Sequence, residues 1–276
     1  MLTLFRVLSV LPLWLLHGLG WGLGWLTFLA SPTYRQRFRT NAALAGLSAA
    51  DVHAAVGHAG RQIAELPRLW FGASVPVQWE GDAILDEVHR NGKSLLLLTP
   101  HLGCFEITAQ AYAERYHAAR GDVTVLYRPA RKRWLHALVE GARNRPGLVA
   151  VPTTLAGVRQ LLKALKLRKT VGLLPDQVPP KGLGVWAPFF GRDAYTMTLS
   201  ARLAQQTDAA VVLLWGERLP WGRGYVVHAR ELGVALAPDA AESARQINAS
   251  MERLIRECPG QYLWGYARYK KPKEAS

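Results

Sequence analysis

The sequence predicts an α/β fold, a mixed β-sheet flanked by helices, with an N-terminal membrane helix and a small membrane-proximal helical layer. Three observations carry that expectation. No Lys, Arg, Asp or Glu occurs over residues 7–30, and roughly 20 apolar residues suffice to cross a bilayer as a helix. Short apolar runs then alternate with helix-period stretches, the pattern of strands and helices layered on a sheet. Near the end two further apolar runs flank Pro220-Trp221-Gly222-Arg223-Gly224, a turn that implies an antiparallel hairpin and so a mixed sheet.

In chain order, residues 1–31 read as a membrane anchor. Pro32 is followed by Arg35, Arg37 and Arg39 rather than by a small-residue cleavage site, which favours retention over removal as a signal peptide. With no acidic residue before Asp51, those arginines favour keeping the following chain on the cytoplasmic side. Gly18, Gly20, Gly22 and Gly24 alternate with Leu and Trp and weaken a straight helix. A helix lying in one leaflet, or a buried core helix, is therefore the alternative to a span.

Residues 32–90 read as a membrane-proximal helical segment. Ser48 with Asp51 makes a capping-box start, and Val52, Val56, Ile63, Leu66 and Trp70 supply an apolar stripe before Gly72. Residues 91–270 read as the α/β core. Strands are expected over 94–98, 123–127, 148–151, 170–174 and 210–215, then a hairpin of 211–218 with 225–230 and a final helix over 240–258. The last few residues have the polar, Pro-containing look of a tail.

The formal net charge of +14 concentrates anionic partners, whether nucleic acid, anionic lipid headgroups or an acidic carrier protein. Ten tryptophans favour the membrane boundary. The basic residues are spread over many blocks without aromatic interleaving, which argues against nucleic acid. Cys104 and Cys258 are the only cysteines and have no ligand-like spacing, so neither a disulfide scaffold nor a zinc site is supported.

The sharpest local feature is the stretch from Leu95 through Thr99-Pro100-His101 to Glu106, where an apolar strand gives way to a helix. Five residues apart on one helix, His101 and Glu106 would point about 140° apart. They meet only if His101 precedes the helix and folds back over its first turns. Glu106 would then hold one imidazole nitrogen while the other deprotonates an alcohol attacking an acyl carbonyl. A helix-capping arrangement is the competing reading, and His117/Asp122 repeats the spacing in a setting that reads as a solvated surface pair.

Further along, Arg128, the basic run 131–133 and Arg143 offer guanidinium groups suited to phosphate or carboxylate, against a solvated helix face. Asp176 ends another apolar strand, where it orients an arginine or a substrate, or caps its own turn. Residues 185–191 read as an apolar loop that dips into lipid, lines an acyl tunnel or packs in the core.

Together these blocks resemble the late acyltransferases of lipid A synthesis, within the wider lysophospholipid acyltransferase superfamily. The resemblance runs from the membrane helix through His101-x4-Glu106, Tyr127-Arg128-Pro129, Arg143, Pro175-Asp176 and Ala187-Pro-Phe-Phe-Gly191 to Pro259–Lys270. It implies transfer of a fatty acyl chain from acyl carrier protein to a hydroxyl of an anionic lipid A precursor. The expected setting is the cytoplasmic face of the cell inner membrane, with no metal or organic cofactor. His101 would be the base, Glu106 its partner, and Arg128, Arg143 and Asp176 substrate-binding positions. The ending Trp264-Gly-Tyr-Ala-Arg268-Tyr-Lys270 keeps one arginine of the family's usual pair, which bears on the acceptor: a glycolipid or lysophospholipid is the alternative. Two rival readings remain, a hydrolase using Cys104 and a basic membrane-binding module without catalysis.

Overall fold

The computed structural model describes residues 2–127 and 146–274. Arg128, Arg143 and the basic run 131–133 lie outside them.

The N-terminal third is helical: α1 (Leu2–Ser9), α2 (Leu13–Ala30), α3 (Pro32–Leu44), α4 (Ala49–Ala64) and α5 (Leu66–Phe71). Local chemistry sets the breaks. Ser31 accepts the Tyr34 N–H and Pro32 takes the first turn of α3, where a missing N–H costs nothing. Arg35 donates to the carbonyls of Phe28 and Leu29 at the end of α2, and the predicted Ser48/Asp51 capping box opens α4.

The alternating glycines of α2 divide between two faces. A Cβ at Gly20 or Gly24 would stand 2.6 Å from Arg61 Cα or 2.2 Å from Val56 O, whereas Gly18 and Gly22 face open space. Gly20 and Gly24 thus let α2 lie against α4, whose Gly60 is equally crowded, in the small-residue packing that brings helix backbones together. The opposite face leaves Trp14, Leu19, Leu26 and Leu29 exposed. By length and composition α2 can cross a membrane.

The sheet follows: β1 (Val77–Glu80), α6 (Ala83–Arg90), β2 (Leu95–Leu98), α7 (Phe105–Arg120), β3 (Val123–Tyr127), β4 (Leu148–Pro152), α8 (Leu155–Lys166) and β5 (Thr170–Leu173). Then come β6 (Gly184–Phe189), β7 (Arg192–Met197), α9 (Leu199–Thr207), β8 (Ala210–Arg218), β9 (Tyr225–Glu231) and α10 (Ala240–Glu257). Seven strands pair in the order β1-β9-β8-β2-β5-β3-β4. All neighbours are parallel except β8 and β9, so the predicted mixed α/β sheet is the fold. Strand β1 lies within the stretch expected to be helical and supplies the edge beside β9.

Both faces of the sheet are covered. Along β2, Leu96 and Leu98 pack with residues of α3, α4, α8, α9 and α10, while Leu95 and Leu97 pack with α5, α6 and α7. All four leucines are buried, as expected for a central parallel strand.

Residues 185–191, expected as an apolar loop, form most of the first strand and the turn of a separate β6–β7 hairpin. Phe190 and Gly191 both take positive φ, 47° and 74°, the two-residue turn whose twist suits a hairpin. Alternation explains the misreading: Ala187 and Phe189 are buried and Trp186 is exposed, a strand period compressed into a few residues and interrupted by Pro188, which a two-stranded ribbon tolerates.

Candidate active site

Strands β2 and β5 are adjacent and parallel, with Leu98 in register with Leu173. Three residues beyond Leu98 is His101, and three beyond Leu173 is Asp176. The register therefore delivers both side chains to the same carboxyl edge of the sheet, the usual place for a site in an open α/β sheet.

They meet there. His101 Nδ1 lies 2.7 Å from Asp176 Oδ1, and the His101 backbone N–H donates to Oδ2 at 2.9 Å. An ionised carboxylate only accepts, so Nδ1 carries the proton and Nε2 keeps its lone pair. Gln177 Nε2 stands 2.9 Å from that nitrogen, an amide donor where a substrate hydroxyl would donate. Burial alone would raise the Asp176 carboxyl; the positive charge that the His101 ring takes on when protonated, with the two hydrogen bonds from His101, outweighs that and holds it below its ordinary value.

The carboxylate seated on Nδ1 is thus that of Asp176, where the sequence spacing had suggested Glu106. His101 precedes α7 as expected, but Glu106 sits on the first turn of the helix, buried, and accepts from Trp70 Nε1 at 3.3 Å. The surface pair His117–Asp122 forms at 3.2 Å with both side chains a little under half exposed.

The C-terminal segment locks this geometry. Tyr262 OH donates to Asp176 Oδ2 at 3.1 Å, Leu263 N–H donates to the His101 carbonyl at 3.1 Å, and Tyr266 OH accepts the Val178 N–H at 3.0 Å. Gly103 has φ 58° and a Cβ there would stand 2.0 Å from Gly216 O. The loop carrying His101 therefore lies flat on β8, with Cys104 N–H donating to Gly216 O at 2.7 Å.

Beneath that loop is a second polar cluster that sequence reasoning missed. Glu65, between α4 and α5, is 1% exposed. It accepts from Arg218 at 2.7 and 2.8 Å and from Tyr225 OH at 2.9 Å, and lies 3.1 Å from His17 Nε2. Arg218 also donates to the Gly103 carbonyl at 2.8 Å. Burial pushes the Glu65 carboxyl up, but the Arg218 charge and these bonds hold it well below its usual value. The one signal available was an acid, Glu65, inside an apolar stripe; its partners come from distant elements.

Cys104 is buried, and burial together with the nearby Glu65 charge pushes its thiol well above the ordinary range. A thiol held protonated is a poor nucleophile, which disfavours the Cys104 hydrolase. Among the described residues no group of three or more His, Cys, Asp or Glu is placed to hold a metal ion.

Residues 1–271 match the family model of the bacterial lipid A biosynthesis acyltransferases. The chain is similar to the lipid A biosynthesis lauroyltransferase of Escherichia coli (strain K12), 31% identical over 125 residues, covering 42% of this chain and 39% of that protein. It is also similar to lipid A biosynthesis acyltransferase 2 of Shigella flexneri, 24% identical over 192 residues, covering 68% of this chain and 59% of that protein. Less than two thirds of either relative's length is thus matched. With the family pattern running from the first residue almost to the last, the chain belongs to the bacterial lipid A biosynthesis acyltransferase family.

Proposed function

We propose that the protein transfers a fatty acyl chain from acyl carrier protein to a hydroxyl of a lipid A precursor, working at the inner membrane with its sheet on the cytoplasmic side. The observation that carries this reading is the polarity of His101: Nδ1 is tied to Asp176, leaving Nε2 as a base toward a single donor. The acceptor hydroxyl displaces the Gln177 amide and gives its proton to Nε2 as its oxygen bonds to the thioester carbonyl carbon. The carbon–sulfur bond then breaks, and the imidazolium returns the proton to the departing thiolate. No enzyme nucleophile is consumed. Asp176 fixes the tautomer and balances the imidazolium, and Glu106 is a positioning residue that braces the first turn of α7 against Trp70.

The exposed leucine face of α2 and the arginines after it support a seat in or on the bilayer. To test the reading, the full chain in detergent is given acyl carrier protein loaded with a fatty acid and a lipid A precursor. Thiol release and lipid mass are then followed together. Equimolar carrier thiol and singly acylated lipid are expected; thiol release without lipid acylation would identify a hydrolase instead.

A further inference from the structure

Behind the C-terminal segment, α3 and residues 267–270 enclose a groove of about 350 Å³. Arg37, Arg192, Arg268 and Lys270 line it together with Thr33 and Asn41, and no acidic side chain lines it among the described residues. Arg268 forms the floor. It is 3% exposed, yet its guanidinium meets neutral oxygens: Tyr195 O at 2.7 Å, Thr196 Oγ1 at 2.7 Å and Asn248 Oδ1 at 3.4 Å. Its Nε–H is buried without an acceptor among the described residues. The field of Asp176 reaches it, but that carboxylate is already bonded to His101 and Tyr262.

A buried cation held by neutral groups is costly unless an anion joins it. The other three cations do not compensate; they add to the field. Arg192 rests on the Tyr269 ring at 5.0 Å and Lys270 on the Tyr266 ring at 4.9 Å. Among the described residues Arg37 hydrogen-bonds only to the Gly265 carbonyl, at 3.5 Å, and all three are exposed. Gathering four like charges in one groove raises their mutual repulsion, and guanidinium groups so placed match the oxygens of a phosphate.

The groove's position narrows the source of that phosphate. Helix α3 starts at Pro32, directly after the apolar α2, so the groove opens beside the end of the helix assigned to the bilayer. From Leu263, bonded to His101, to Lys270 the chain spans at most about 25 Å. We propose that this groove holds a phosphate group of the lipid acceptor, anchoring the headgroup while the acceptor's hydroxyl reaches His101. The proposal rests on the acyltransferase reading above.

Native mass spectrometry of the detergent-solubilised full chain tests it with four probes: a phosphorylated glycolipid, its dephosphorylated form, phosphatidylglycerol and inorganic phosphate. The wild type should hold the phosphorylated glycolipid at least about tenfold more tightly than the dephosphorylated one. Arg37→Gln, Arg192→Gln and Lys270→Gln combined should erase that preference, and in acyl transfer raise KM about tenfold with kcat little changed. Lys270→Arg alone should keep the preference, as should Arg202→Gln, an exposed arginine elsewhere on the surface. Equal affinity for the two glycolipids, or an unaltered triple variant, overturns the proposal. So does displacement of the glycolipid by equimolar phosphatidylglycerol or inorganic phosphate, which would reveal a site for bulk headgroups or free anions. If the wild type transfers no acyl group yet keeps phosphate-dependent binding, the acyltransferase reading fails and the groove stands.

Discussion

Two imidazole–carboxylate pairs lie close together in this protein, and they are built for different ends. In His17–Glu65 the carboxylate is saturated by a buried arginine, a tyrosine and the histidine, and all three main partners are enclosed. In His101–Asp176 the carboxylate is equally buried, but the imidazole is 13% exposed and its second nitrogen meets an amide that can be displaced. Saturation on every side suits a scaffold; one lone pair left at an edge suits the base proposed above. The two are coupled, because Arg218 holds both Glu65 and the carbonyl of Gly103 in the loop that carries His101.

The largest effect should come from breaking the base. His101→Ala should lower kcat by at least about 10³-fold with little change in thermal stability, measured by acyl transfer and melting side by side. Equal loss in both would make His101 scaffold. Glu65→Gln should do the reverse, destabilising the fold by about 3 to 5 kcal/mol as it strands a buried Arg218 charge, read from urea unfolding.

Next comes the choice of carboxylate. Asp176→Asn should reduce kcat about 10²-fold, and Glu106→Gln should cost at least tenfold less. The opposite ranking would return Glu106 to the role that its spacing suggested. Asp176 also predicts a pH signature. Its folded pKa is depressed below 3.8, so its contribution to stability is present above that pH and lost as pH falls through the folded value. Asp176→Asn should therefore show a shallower loss of stability below about pH 4 than the wild type. The smallest effect should belong to Cys104→Ala, with activity within about twofold of wild type. A collapse of activity there would revive the thiol as nucleophile.

Much of the architecture was legible in the chain. The expected strands over 94–98, 123–127, 148–151 and 170–174 match β2 to β5 within a residue or so, because a buried parallel strand must be apolar on both faces. The Ser48 cap and the β8–β9 hairpin were equally readable, being local chemistry. The β6–β7 hairpin was not, since its period of two spans too few residues to separate from a loop. Alternating glycines in α2 gave no hint that only Gly20 and Gly24 touch a partner.

The site divides along the same line. His101 stood out in the sequence as a candidate because it follows an apolar strand and precedes a helix, with helix capping as the rival reading. Asp176 stood out too, but as a substrate contact, and Glu106 was favoured as the partner because the family resemblance joined a spacing that was weak by itself. What joined His101 to Asp176 was the register of β2 against β5, a contact across 75 residues. Sequence by itself determined which residue types stand at the strand ends. Only the tertiary structure decided which ends lie side by side, because hydrogen bonding between strands carries no mark in either strand alone.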